Sequence, residues 1–316
     1  LVARHEKISF TDYLVKSIFQ YIRTYAAATN KVLLLLVTLF TAVLVYCNYH
    51  YHMDRQIGAM DNLLLRFGAR YIVSLAAFAV PYLLTHVFTR KDLFADPLFI
   101  VLLIIAPAIF ALKMELSFNF FLADEAIANR YWNRVVYWPL LLLITTILIA
   151  CCWWRAGPKE SFYGVTTRNL HIGPYLIMLA IMVPLIAAAS TQPDFLAAYP
   201  KLRAVAGSTT DLLPLWKKVL FELSYGSDFF TIELFFRGFL VLAFVRFAGK
   251  DAILPMACFY CTIHFGKPLA ECISSFFGGL LLGIVVYHTR SIFGGLIVHL
   301  GIAWMMEIGG YLGGSV

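Results

Sequence analysis

Lys31-Val-Leu-Leu-Leu-Leu-Val-Thr-Leu-Phe-Thr-Ala-Val-Leu-Val-Tyr46 decides what kind of protein this is. After the lysine, no charged side chain occurs as far as Tyr46, and nearly every residue is aliphatic or aromatic. A membrane-crossing helix takes about 20 predominantly apolar residues, and this run reads as one. Comparable runs extend over Tyr71 to Phe88, Leu98 to Leu112, Val136 to Trp154 and Gly173 to Ala189. Others follow in the region from Val219 to Leu312. We expect an all-α fold, a polytopic transmembrane helical bundle with about eight spans.

The whole chain agrees with that run. Of its 316 residues 61% are hydrophobic and only 14% charged, with a mean hydropathy of +0.79. A soluble domain carries about a quarter charged residues, so lipid is the natural solvent for this one. The formal charge of +7 is spread over short loops, as suits anionic headgroups. No basic run is dense enough to track a phosphate backbone, and nucleic acid is excluded as a partner. The six cysteines, Cys47, Cys151, Cys152, Cys258, Cys261 and Cys272, lie in or beside apolar runs and read as small apolar residues, not a disulfide framework. No stretch reads as a cleavable signal, and the slight excess of Lys and Arg favours a cytoplasmic N-terminus.

Three regions follow. Residues 1–30, with charges among Phe, Tyr and Ile from Arg4 to Thr29, suit an amphipathic interfacial helix. Residues 31–172 hold the N-terminal transmembrane helices. Residues 173–316 hold a C-terminal core interrupted by a polar loop from Thr191 to Lys218, where Pro193, Pro200, Gly207 and Pro214 argue against a continuous helix.

Ionisable residues inside a bilayer cost about 2.5–3.5 kcal/mol each even on the gentlest insertion scales. The N-terminal runs are nearly free of them, whereas Glu233, Arg237, His264, Glu271, His299 and Glu307 fall within or beside the C-terminal ones. Glu233 and Arg237 are four apart and share a helix face. Two readings stand for them at this point: a plain buried ion pair, or a carboxylate kept charged but poorly solvated, which suits a general base. A lone membrane histidine is commonly a packing residue. Two of them, His264 and His299, with Glu233 on a third helix, define one polar cavity able to activate water with or without a metal. Glu307, eight residues after His299, is placed to orient it; Glu271 suits a helix start. Gly279 and Gly283 have the GxxxG spacing of close helix packing.

These residues resemble the CPBP intramembrane proteases, the ABI or CAAX-protease-like family. Its pattern is Glu-Glu-xxx-Arg, then Phe-xxx-His, then His-xxx-Asn; here stand Ile232-Glu233-xxx-Arg237, Tyr260-xxx-His264 and His299-xxx-Ala303. The resemblance covers about residues 219 to 312. It implies an intramembrane endopeptidase acting on a membrane-associated peptide or protein, in a cell membrane, with a bacterial inner membrane expected. Carried over, Glu233 and His264 activate water, His299 holds the developing charge, and Arg237 orients the glutamate. The pattern decides neither for nor against a divalent metal such as zinc; Glu233, His264 and His299 are the side chains that would hold one. Ile232 and Ala303 replace a glutamate and an asparagine of the pattern, and they motivate an alternative, a catalytically silent scaffold or immunity protein of the same family. A proton- or ion-coupled transporter is a third reading, weakened by the lack of paired broken helices.

Overall fold

In the computed structural model of the chain, residues 10–156, 161–168 and 170–313 are described. All regular structure among them is helical. Helix α1 (Phe10–Ala28) covers most of the expected amphipathic stretch; residues 4–9 of that stretch lie outside the described residues. There follow α2 (Lys31–Tyr51), the short α3 (Met53–Gly58), α4 (Leu63–Thr89), α5 (Pro97–Glu115), α6 (Ala126–Ala156) and α7 (Gly173–Ala189). The polar loop folds into short turns, α8 (Pro193–Ala198) and α9 (Arg203–Ala206), as its prolines require. Helix α10 (Leu215–Glu233) then runs without a break into a π-helix, Leu234–Ala243. The chain ends in α11 (Val245–Ala248), α12 (Ile253–Thr262), α13 (Leu269–Thr289) and α14 (Phe293–Gly313).

Side chains written into the sequence start several of these helices. Asn30 accepts hydrogen bonds from the Val32 and Leu33 amides, and Asn62 from those of Leu64 and Leu65. Asp96 does the same for Leu98, just before Pro97 at the first helical position. Pro81, Pro107, Pro139 and Pro184 sit inside helices, which membrane helices tolerate because neighbours re-satisfy the freed backbone groups.

Helices α2, α4, α5, α6, α13 and α14 are each long and apolar enough to cross a membrane, and α7 is a shorter apolar helix. Among the described residues these seven helices, packed around the continuous α10–π rod, make the polytopic helical bundle that was expected. Their outer faces are apolar: Leu35, Leu39 and Val43 of α2, Leu143 and Ile147 of α6, and Ile181 and Leu185 of α7 are all more than half exposed. Rows of bare aliphatic side chains on a folded surface belong against acyl chains. This is a multi-pass membrane protein.

The interior is aromatic. Every residue of α12, and of the π-helix all but the partly buried Leu242, is buried, and Phe235, Phe236, Phe239, Phe244 and Phe259 interlock with Phe78 and Tyr82 of α4 and Phe99 and Phe110 of α5. Ring centroids in this cluster lie 5.0 Å apart for Phe110 and Phe235 and 5.1 Å for Phe78 and Phe244, favourable spacings for aromatic pairs. Gly279 and Gly283 lay α13 directly on α12, where a Cβ would meet the Tyr260 and Met256 side chains. The GxxxG spacing is thus a packing feature, as its composition suggests.

Candidate active site

Glu233 stands where α10 turns into the π-helix. Widened π turns are rare and recur at functional sites. One turn on, Arg237 brings its Nη1 to 3.2 Å from Glu233 Oε1, and both side chains are wholly inaccessible. Removing two charges from water costs several kcal/mol per ion, a cost that their close approach offsets. The guanidinium carbon also lies 4.1 Å from the ring centroid of Tyr260, a cation–π contact.

The same carboxylate oxygen, ion-paired with Arg237, accepts a hydrogen bond from another helix. His299 Nδ1, on α14, is 3.0 Å from Glu233 Oε1. Since a carboxylate can only accept, a proton resides on Nδ1, and in the neutral imidazole Nε2 is then the accepting nitrogen. The Tyr260 hydroxyl donates to it at 3.1 Å. Phe229 meets the imidazole edge-on at 4.8 Å. Close approach of α14 depends on Gly295, where any Cβ would collide with Glu233 Oε2. That oxygen is buried and has no hydrogen-bond partner among the described residues.

His264 follows α12 in a turn. Its Nδ1 pairs with the Tyr260 carbonyl at 3.1 Å and its ring lies 4.8 Å from the Tyr260 ring; no hydrogen bond joins it to Glu233. Thus the structure brings Arg237 and His299 each into direct contact with Glu233 and sets His264 one residue away, across Tyr260. His264 and His299 are only partly buried, the latter's side chain 16% exposed, so they form the accessible edge of a cluster whose carboxylate is sealed. Tyr260 precedes His264 by four in an apolar run, and that helical spacing is the signal in the sequence that places it beside the histidine.

The turn bearing His264 is held from the far end of the chain. Asn48 of α2 donates to the Phe265 carbonyl at 3.0 Å, and Tyr49 donates to that of Lys267 at 2.6 Å. Asn48 also accepts from the Asp54 amide at 3.0 Å, and Asp54 pairs with Arg70 at 2.8 Å. Arg70 and Arg66 both bond Glu115.

Glu307 does not orient His299. Its Oε2 accepts from the Lys201 amide at 2.8 Å and ties the polar loop to α14. Glu271 lies in the first turn of α13, the role its position suggested, and pairs with Lys267 at 3.2 Å. Tyr199 lies between two ammonium groups: Lys267 Nζ donates to its hydroxyl at 3.0 Å, and Lys201 Nζ lies 4.4 Å from its ring centroid. Burial, and after it the nearby Lys267 charge, lower the Lys201 pKa to about 8. Cys258 and Cys261 are buried.

As the side chains stand, the donors face one another and not a common point. Both ring nitrogens of His299 are taken by Glu233 and Tyr260, and the Glu233 oxygen facing them is already paired with Arg237. Among the described residues, no group of three or more His, Cys, Asp and Glu side chains is placed to hold an ion.

Residues 219–305 match the family model described as Rce1-like, type II CAAX prenyl endopeptidase Rce1-like. The matched segment contains Glu233, Arg237, His264 and His299, and this is the CAAX-protease-like family that the motifs resemble. No curated protein and no solved structure matches the chain.

Proposed function

We propose that the chain is an intramembrane endopeptidase that hydrolyses a peptide bond of a membrane-associated peptide or protein, using a water activated by glutamate and histidine. The observation that carries this is the Glu233–His299 hydrogen bond, made by a fully buried carboxylate to an imidazole at the accessible edge. A carboxylate behind an imidazole fixes its tautomer and raises its basicity.

The bond pattern supports a division of labour different from the one the resemblance implies. Glu233 acts through His299, whose Nε2 takes the proton of the attacking water, while Arg237 pairs with the carboxylate. As oxygen bonds to the carbonyl carbon, the C=O π pair moves onto the carbonyl oxygen. The imidazolium then returns its proton to the leaving nitrogen as the C–N bond breaks. His264, at the same edge, is available to the oxyanion or to the substrate backbone. A bacterial inner membrane fits the short loops and is part of this proposal.

Cleavage of candidate peptides by protein reconstituted in liposomes tests it. Glu233→Gln and His299→Ala should each lower kcat by 100-fold or more, within the range general acid–base groups supply, and His264→Ala should lower it as well. Three variants that cut like wild type would end the hydrolase reading.

One observation favours the second reading, a silent scaffold or immunity protein. Ile232, where the family pattern has glutamate, is packed into the aromatic core, and Ala303, where it has asparagine, is buried as well. A cellular phenotype that survives substitution of all of Glu233, His264 and His299 would decide for it.

A further inference from the structure

The family pattern has phenylalanine where this chain has Tyr260, and asparagine where it has Ala303. One polar group is missing from α14 and one has been gained on α12. The gained group is a hydroxyl bonded to the nitrogen that would take the proton from water: Tyr260 Oη to His299 Nε2, 3.1 Å. Its ring lies against the His264 ring on one side and the Arg237 guanidinium on another. Tyr260 thus meets His264, His299 and Arg237 at once, and a tyrosine serving only for packing would not need its oxygen directed at His299.

We infer that Tyr260 is a further catalytic residue, the donor that stabilises the oxyanion in this chain. The inference rests on the endopeptidase reading. Before substrate arrives, the phenol donates to His299 Nε2. When water displaces it there and gives its proton to Nε2, the phenolic O–H is released to donate to the carbonyl oxygen as that oxygen gains the π pair. No proton leaves the phenol: it keeps its O–H bond through the step and changes only its acceptor. The cationic guanidinium against the ring polarises that O–H toward donation. Donors aimed at developing charge in a dry site contribute about 100- to 1,000-fold in kcat each.

Steady-state cleavage by the reconstituted full chain is the test, with Tyr260→Phe and with 3-fluorotyrosine placed at position 260. Tyr260→Phe should lower kcat about 100-fold and leave KM within about threefold. Fluorination, which makes the phenol a stronger hydrogen-bond donor at nearly constant shape, should keep kcat at or above that of wild type. A packing role would leave kcat unchanged in Tyr260→Phe. If Tyr260→Phe retains kcat while His299→Ala is inactive, or if 3-fluorotyrosine lowers kcat as far as Tyr260→Phe does, this inference falls and the endopeptidase reading stands. If His299→Ala and Glu233→Gln also cleave like wild type, both fall together.

Discussion

Arg237 and Glu233 are sealed from solvent and face each other across 3.2 Å. Deleting one partner of such a pair leaves an uncompensated charge, so Arg237→Met should destabilise the protein by about 3–5 kcal/mol. Reversible unfolding in mixed micelles would measure it, and the double variant with Glu233→Gln should recover part of the loss. This pair was legible in the sequence because charge in an apolar run is conspicuous and helical spacing places i and i+4 together. The hydrogen bond to His299, 66 residues on, was legible only as an expected convergence. Lys201 supports a pH prediction of its own. Its pKa of about 8 lies below that of an ordinary lysine, so between these values the unfolded chain holds a proton that the folded chain does not. Stability therefore rises with pH through that window. The melting temperature of wild type minus that of Lys201→Met should increase from pH 7.5 to about 10.

The site is assembled by packed elements more than by any one of them. Helix α14 approaches the α10–π junction only because position 295 has no side chain. Gly295→Ala should force the two apart, weaken the Glu233–His299 bond and abolish cleavage, while the protein still inserts; comparing activity with membrane yield separates these effects. The turn after α12 depends on α2: Asn48 and Tyr49 together hold the Phe265 and Lys267 carbonyls. Asn48→Ala and Tyr49→Phe should each cost about 0.5–1.5 kcal/mol and lower kcat with little change in KM, since they move His264 without touching substrate. Nothing in the sequence announced this clamp. Its partners are 217 and 218 residues apart, and an asparagine and a tyrosine near a helix end read as interfacial polarity. The π-helix was equally hidden, since its residues, Leu234-Phe-Phe-Arg-Gly-Phe-Leu-Val-Leu-Ala243, fit an α-helix as well.

Taken entire, the molecule is an aromatic rod clothed in helices whose outer faces meet lipid. Substitutions should follow that geometry. Phe235→Ala, in the fully inaccessible cluster, should cost about 3–5 kcal/mol. Leu143→Ala, on the exposed face of α6, should change stability by less than about 0.5 kcal/mol, because a side chain that meets lipid in the folded protein meets lipid in the separated helix too. Unfolding of the two variants in parallel checks the contrast. The N-terminal helices, which carry no motif of the matched segment, supply Phe78, Tyr82, Phe99 and Phe110 of the aromatic core and the anchor of the His264 turn.

What could be read from residues alone was whatever the bilayer makes expensive. Long uncharged runs fix the class of fold, and a handful of charges among them mark the site, since each has a large and local cost. What only the folded chain decided was partnership: that Glu233 bonds His299 and not His264, that Glu307 holds a loop backbone, and that Tyr260 joins the two histidines. Those choices turn on differences of an ångström between helices remote in sequence, and neither hydropathy nor spacing carries information at that resolution.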